Sequence, residues 1–271
     1  MLPLETKQSG GKLLPQSDLR GGGVFLGEAS RKIHRKMKLG TWNVRRFYRT
    51  GSLKAAAREL ARYKLDLVGV QDIRWDKEGT VRAGDYNSFC RNENHQLGTG
   101  FFVHRRLVLA VNRIEFVSDR LSYIELRGRL LHIILVNVHA PSEEKREELK
   151  DSFYEELEEV FDHFPKYHMK ILLGDFNAKV GREDIFKPII GQESLHQDSN
   201  DNGFRIVNFD ISKNLVVKST MFPHRNIHKY TWTSPDGKTH NQIDHVLIDR
   251  RWQSSVLDVQ SFRGGECDTD H

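Results

Sequence analysis

Packed mixed β-sheets carrying α-helices on their outer faces, an α/β (α+β) fold, are what the sequence predicts, and three observations lead there. Short apolar runs of strand length recur from Met37 onward, two amphipathic helices stand among them, and no Pro-rich linker or internal repeat divides residues 37–271. A chain of 271 residues can bury a sizeable core, and one large domain is the expectation.

Residues 1–36 are rich in Gly, Ser, Lys and Arg, contain Gly21-Gly22-Gly23 and lack an apolar period, so they read as a disordered basic arm. Strands are expected at Met37–Asn43, Leu65–Gln71, Thr99–His104, Leu121–Leu126, Leu131–Val138, Met169–Leu173, Lys229–Thr233, Ile243–Ile248 and Val256–Val259. The first helix is expected from Ser52, an N-cap residue type, to Lys64, with Leu53, Ala56, Ala57 and Leu60 on one face. In the second, Ser142 is the expected cap, and Glu143 and Glu144 suit the positive end of the helix dipole. Leu149, Phe153, Leu157, Val160, Phe161 and Phe164 form its core stripe. A weaker third helix is expected over Phe204–Ser212, after Asn202-Gly203.

Composition narrows the class. The apolar stretch around Leu131–Val136 is far too short to cross a bilayer, and the N-terminus shows no secretory signal pattern. Cys90 and Cys267 alone cannot make a disulfide framework, which fits a reducing compartment, nuclear or cytoplasmic, without secretion. The net charge of +5 is carried by residues 1–38, whereas the remainder holds 34 basic and 34 acidic side chains. Within that balanced part, residues 143–162 hold ten acids against Lys145, Arg146 and Lys150, so charge is segregated along the chain. A solvated acidic helix on an ordinary enzyme explains this as readily as a face that repels DNA.

The functional signal is a set of polar residues at the ends of apolar runs. Asn43 follows the first, Gln71-Asp72 the second, His139-Ala140-Pro141 the run from Ile133, and Gly174-Asp175-Phe176-Asn177 the run from Met169; Asn241-Gln242-Ile243-Asp244 opens a late strand and Asp268-Thr269-Asp270-His271 closes the chain. Strand ends converging at one sheet edge can assemble a site. Singly, each residue has a plainer reading: Asn43 and Asp72 could satisfy turn backbones, Asp175 and Asn177 could form an Asx turn, and His139 could be a core imidazole.

In order, Thr41-Trp42-Asn43-Val44, Val70-Gln71-Asp72, Gly174-Asp175-Phe176-Asn177, Gln242-Ile243-Asp244 and Thr269-Asp270-His271 resemble the motifs of the endonuclease/exonuclease/phosphatase family. Asn137-Val138-His139-Ala140-Pro141, Asn202-Gly203 with Arg205, Thr231-Trp232 and Ser234-Pro235-Asp236-Gly237 look like the endonuclease domain of RTE-type non-LTR retrotransposons, which the craniofacial development protein 2 group shares. The resemblance implies a four-layer, deoxyribonuclease I-like sandwich of two packed mixed β-sheets flanked by helices, lacking its last strand because the family continues past the Asp270-His271 motif. It also implies a Mg²⁺-dependent DNA endonuclease, with Mn²⁺ a substitute.

Hard oxygen donors suit Mg²⁺, which assigns Asn43, Asp72 and Asp270 to the metal. The family usually has Glu where this chain has Asp72, so direct coordination could become water-mediated or weaker. Further roles follow from the resemblance. His271 would be the base for the attacking water, oriented by Asp244; Asp175 would align that water, and Asn177 would donate to the phosphorane. His139, where many relatives have Tyr, would protonate the leaving oxygen or contact phosphate. Arg45, Arg46 and Arg49 could lie along the DNA backbone, or be ordinary surface-loop arginines. Trp232 is expected in the core. Two alternatives stand beside the endonuclease: a phosphatase of the same superfamily, and a catalytically weak derivative that binds DNA or protein.

Overall fold

The apolar runs do form two sheets that pack face to face. The structure, a computed structural model, describes residues 4–5, 37–47, 50–73, 79–91, 98–128 and 130–262. One sheet contains β1 (Leu4–Glu5), β2 (Leu39–Phe47), β3 (Leu67–Ile73), β4 (Gly79–Ala83), β5 (Tyr86–Arg91), β6 (Gly98–His104) and β15 (Gln260–Ser261), in the order β15-β1-β2-β3-β6-β5-β4. The other contains β7 (Val111–Phe116), β8 (Leu121–Leu126), β9 (Ile133–His139), β10 (Met169–Asp175), β11 (Leu215–Val217) and β14 (Asp244–Asp249), in the order β11-β14-β10-β9-β8-β7. β12 (Trp232–Thr233) and β13 (His240–Asn241) make a separate hairpin. Each sheet holds one central parallel pair, β2 with β3 and β9 with β10, among antiparallel neighbours.

Alternation along the central strands sorts their side chains between two cores. Ile133, Leu135, Met169, Ile171 and Leu173 face the first sheet's Leu39, Leu67, Phe101 and Val103. Ile134, Val136 and Leu172 face outward against Phe153, Leu157 and Phe161 of α2 (Glu147–Asp162) and Ile206, Val207 and Phe209 of α3 (Asp201–Lys213). On the other side, Leu53, Ala56, Ala57 and Leu60 of α1 (Thr50–Tyr63) cover Val68, Val70 and Phe102. Central strands are thus covered on both faces, which is why they read as unbroken apolar runs. The result is four layers: helix, sheet, sheet, helices.

Several local expectations change. Ser142 does not cap α2, which starts five residues later after Arg146, and Leu149 is 54% exposed instead of in the core. Asn200 caps α3, its side chain accepting from the Gly203 N–H at 2.8 Å, so Asn202-Gly203 lies in the first turn. The run Val256–Val259 is not a strand; Val256 makes an isolated bridge and the strand begins at Gln260. The strands β4, β5, β7 and β11 and the two-residue β1 were not expected, and β1 joins β2 to β15. The rest of 1–36, and the segment where a further strand was expected to be missing, lie outside the described residues. Cys90 is a buried free thiol, and Cys267 is outside the described residues. No helix among the described residues is long and apolar enough to cross a membrane.

Two groups between α2 and α3 lack partners among the described residues. Both carboxyl oxygens of Asp210 and the hydroxyl of Tyr154 are buried without a hydrogen bond, and burial pushes the Asp210 pKa well above the ordinary carboxylate value. Folded protein therefore keeps a proton that the unfolded chain releases near pH 4, so stability falls as pH rises from there through the folded value. Asp210→Asn removes this titration. Its melting temperature should exceed wild type at pH 8, by an amount equivalent to about 1–3 kcal/mol, and the gap should close toward pH 4. A pH-independent difference in thermal melts would show that Asp210 does not carry the effect.

Candidate active site

The parallel pairs run in register to a common end of the sandwich, and that end carries the polar residues. In the second sheet Asp175 lies level with His139 on one side and Asp244 on the other. Gly174 lets β10 reach this point: its φ is +153°, and a Cβ there would sit 1.9 Å from the Val138 carbonyl oxygen. In the first sheet the ladders become irregular just after Asn43 and around Asp72, whose φ of +56° turns the chain out of the strand.

The two sheets touch through these residues. Asn43 Nδ2 donates to Asp175 Oδ2 at 2.8 Å, while the Asn177 backbone N–H donates to Asp175 Oδ1 at 3.0 Å. Asp175, 2% exposed, therefore has both oxygens fixed. Asn177 adopts the left-handed conformation, φ +49°, and gives one of its amide hydrogens to the Ala140 carbonyl at 2.9 Å. The bond from the Asn177 N–H to Asp175 Oδ1 is the Asx turn the sequence allowed for. Beneath them, Gln71 Nε2 donates to Thr41 Oγ1 at 2.8 Å and to Asn137 Oδ1 at 2.6 Å, while Asn137 Nδ2 donates to the carbonyls of Val70 and Gly100, both at 3.0 Å.

His139 is buried, and its Nδ1 has no hydrogen-bond partner among the described residues. Burial first, and then the positive charge of Arg120, pushes its pKa down to about 4 against the opposing pull of Asp72. It is neutral near pH 7. Arg120 is locked to it through the backbone: the His139 N–H donates to the Arg120 carbonyl at 2.9 Å, and Arg120 Nη1 donates to the His139 carbonyl at 3.0 Å.

Asp244 is 1% exposed, and its strand entry is held by neighbouring side chains. Thr231 Oγ1 accepts from the N–H groups of Ile243 at 2.9 Å and Asp244 at 3.1 Å, and Gln242 bonds Leu195 N–H and the Ser219 carbonyl. His245 is a structural imidazole, set between Ser219 and the Ala178 carbonyl. Asn202 ties the Pro141 carbonyl to that of Asn177, and Arg205 clamps α2 to α3 through Glu147, Asp151 and Asp201. The Asn202-Gly203 and Arg205 motif is therefore a brace for the cleft loops.

A cleft of about 310 Å³ opens over this floor, and Asn43, Arg120, His139, Lys145, Asp175 and Trp232 are among the residues that line it. Asn177 lines it as well; Asp72 and Asp244 do not. Trp232 is half-buried on this wall, correcting its expected place in the core. Arg120 and Lys145 were not singled out from the sequence, where Lys145 counted only as a base within an acidic segment. The usable signal was position: Arg120 directly precedes β8, which starts at this edge, and Lys145 lies in the segment that follows β9. Asp270, His271 and Arg49 lie outside the described residues, as do the side chains of Arg45 and Arg46 on β2.

Glu125, His132 and His168 form another titratable cluster, their potential ligand atoms all within 4.8 Å of one another. It sits at the opposite pole, since His132 and His168 precede the starts of β9 and β10, which puts His168 seven residue steps or roughly 23 Å from Asp175. The two rings are stacked at 4.7 Å and 3°, and His168 Nδ1 accepts the His132 N–H at 3.1 Å. Parallel rings cannot both point a nitrogen in-plane at one ion, so this cluster is not the metal site of the cleft.

Two packed sheets with amide, imidazole and carboxylate groups meeting at the ends of their parallel strands define a phosphoesterase scaffold. The chain belongs to the endonuclease/exonuclease/phosphatase family, whose model matches residues 40–271; members of this superfamily are hydrolytic phosphoesterases. Craniofacial development protein 2 from Bos taurus is 31% identical over 235 residues, covering 86% of this chain and 39% of that protein. The chain thus spans about two fifths of that relative's length. Among solved structures, the 3′ phosphatase NExo from Neisseria, bound to a product DNA hairpin, has a TM-score of 0.58 at 18% identity, covering 83% of this chain and 98% of that one. The endonuclease domain of TRAS1, a telomere-specific non-LTR retrotransposon, has a TM-score of 0.54 at 14% identity, with coverage of 84% and 98%. The four-layer, deoxyribonuclease I-like architecture is theirs too.

The pairing of Arg120 with His139 can be tested by titration. Arg120→Met should raise the His139 pKa above 4 in heteronuclear NMR, yet leave it below the ordinary 6.5, since burial is the larger cause. An unchanged value would remove Arg120 from the electrostatics of the site.

Proposed function

We propose that this chain is a Mg²⁺-dependent DNA endonuclease that hydrolyses phosphodiester bonds by nicking, in the manner of retrotransposon endonuclease domains. The observation that carries this reading is the Asn43–Asp175 bond beneath a cleft shared with His139 and Asn177, because it joins strand ends of both sheets around one small volume. The fold shared with the TRAS1 endonuclease domain and with the NExo 3′ phosphatase, which is bound to a product DNA hairpin, supports a DNA substrate.

Oxygen donors suit a hard divalent ion: Asn43 on the floor and Asp72 near the end of β3 offer them, with Asp270 proposed to join, and no cysteine lines the cleft among the described residues. When bound, Mg²⁺, with Mn²⁺ as a substitute, neutralises charge on the phosphoryl oxygens. The chain's own groups do the rest. Asp175, immobilised through both oxygens, orients the attacking water. Asn177 offers its second amide hydrogen to the phosphoryl group. Asp244 and His271 are assigned as the orienting carboxylate and the base that takes the proton from water. His139, neutral at pH 7, serves as a hydrogen-bond donor to a phosphoryl oxygen in place of the acid role suggested by sequence. Arg45, Arg46 and Arg49 are assigned to contacts with the DNA backbone.

Asp72 has a backbone reason to be aspartate. Asp tolerates the left-handed conformation through local hydrogen bonding, whereas a longer acid does so less readily. Asp72→Glu should therefore nick at lower Mg²⁺ concentration, because of its longer reach, but melt lower by the equivalent of about 1 kcal/mol. Equal metal dependence in the two proteins would take Asp72 out of the metal site.

A plasmid assay tests the whole reading. Supercoiled DNA should be nicked with Mg²⁺ or Mn²⁺ and left intact with excess chelator, and Asp175→Ala should lower the rate at least about 100-fold while the protein stays folded. Turnover of a terminal phosphomonoester with no nicking would assign the chain to the phosphatases instead.

A further inference from the structure

The pole opposite the cleft carries a row of cations that the chain itself does not offset. Four strands of the second sheet reach this pole side by side. The ladders set Met169 at the start of β10 level with Ile133 at the start of β9, and Ile133 level with Leu126 at the end of β8, while β14 ends beside β10 at Asp249. Just past these ends stand Arg250, Lys166 with Tyr167, His132 and Arg127, in the strand order β14-β10-β9-β8. Neighbouring strands lie about 4.8 Å apart, so the row runs for roughly 14 Å. Arg127, Lys166 and Arg250 are exposed and make no ion pair among the described residues; Arg127 Nη2 donates only to the neutral Asn112 Oδ1, at 3.0 Å. The acids of this pole are already engaged: Asp249 by Arg251, Glu125 by His132, Asp162 by Lys213 and Asp66 by Arg106. The helix ends do not draw on the row either, because His163 bonds the Glu159 carbonyl at the end of α2 and Lys213 lies in the last turn of α3. Within the row, Tyr167 is 63% exposed and rests against His168 at 4.2 Å, and His168 in turn stacks on His132.

We infer that this row binds a single nucleic-acid strand, at a second site on the end of the protein turned away from the cleft. Cations in single file match phosphates in single file, and roughly 14 Å covers about four phosphates of a stacked strand at about 3.4 Å each. Every base has a π-face, so an aromatic ring set among the cations can stack on a base without reading sequence. An anionic lipid surface is a plane instead of a line, and it would also meet Asp85 at the same pole of the first sheet, which is 54% exposed. Leu109 and Leu130, 88% and 83% exposed, are what a lipid surface would use in place of Tyr167, and they separate the two partners. The site depends on neither a metal nor cutting. The ends of β10 are roughly 20 Å apart, so a segment held here is separate from one in the cleft.

The probe is a fluorescent oligothymidine, read by anisotropy across salt concentrations, with plasmid nicking measured at saturating DNA in parallel. Arg127→Gln, Lys166→Gln and Arg250→Gln should each lower the magnitude of the slope of log affinity against log salt by about 0.7, and Lys54→Gln on the exposed side of α1 should leave it unchanged. Tyr167→Ala should weaken binding at least about 5-fold and Tyr167→Phe should not, because stacking needs the ring and not the hydroxyl. Nicking should stay at the wild-type rate in all of them. Unmoved slopes in the three row variants overturn the site, and so does an equal loss in Lys54→Gln. Binding to phosphatidylserine vesicles that Leu109→Ser and Leu130→Ser abolish, with the oligonucleotide slopes unmoved in the row variants, would give the row to a lipid surface and overturn it as well. A protein that binds through the row yet nicks nothing keeps the site and sinks the endonuclease reading; one that nicks while its row variants bind like wild type does the reverse.

Discussion

Gln71 and Asn137 cross the gap between the sheets at 2.6 Å, and the geometry of the cleft depends on that crossing. Apolar contacts between two sheets are non-directional and would tolerate sliding, whereas a buried amide pair is satisfied in one alignment only. Asn137 spends its donors on carbonyls of β3 and β6, and Gln71 reaches back to Thr41 on β2, so three strands of one sheet are tied to β9 of the other. Gly69 makes room for this, since a Cβ there would lie 2.7 Å from Leu173 and 2.8 Å from Asn137 Oδ1. Asn43 and Asp72 follow on β2 and β3, and His139 and Asp175 on β9 and β10. Fixing the register below fixes the distance above, which is how Asn43 meets Asp175 across the sheets.

What could be read from the sequence follows from the same construction. Strands covered on both faces announce themselves as apolar runs, so Leu121–Leu126 and the centres of β2, β3, β9, β10 and β14 were legible, along with the polar residues at their ends. The strands β4, β5 and β7 sit at or near sheet edges, where half-exposed faces dilute the apolar pattern; Val111–Phe116 has no fully buried residue. Ser142 had the chemistry of a helix cap, but the loop after Pro141 is used to hold Asn202 and line the cleft, so α2 starts only once that duty is done. Trp232 was taken for core because a large aromatic usually is. Its two-residue strand belongs to neither sheet, and that fact is tertiary.

Electrostatics divides the site by strand. The α2 helix carries its acids outward, where Arg205 and Lys213 offset some of them, and turns Lys145 toward the cleft from the loop before it. On the cleft side, acids lie along the ends of β3, β10 and β14, and cations lie on the loops next to β8 and α2. Charge segregation visible as an acidic block in the sequence therefore does not mark a DNA-facing surface. It marks the outer side of the helix layer.

This division also bears on how one scaffold serves different phosphoesters. In the proposed reaction a floor of Asn43, Asp175 and Asn177 would engage what every phosphoester has in common, a tetrahedral group and an attacking water. Selectivity must come from the walls, and here the walls are contributed by loops rather than by the sheets: Arg120 from the β7–β8 turn, Lys145 from the segment before α2, and Trp232 from the separate hairpin. Loops can change without disturbing the register set by Gln71 and Asn137, so substrate choice can change while the reaction centre stays put. The neutral state of His139 belongs to both parts, since burial on the floor sets it and Arg120 from the wall deepens it.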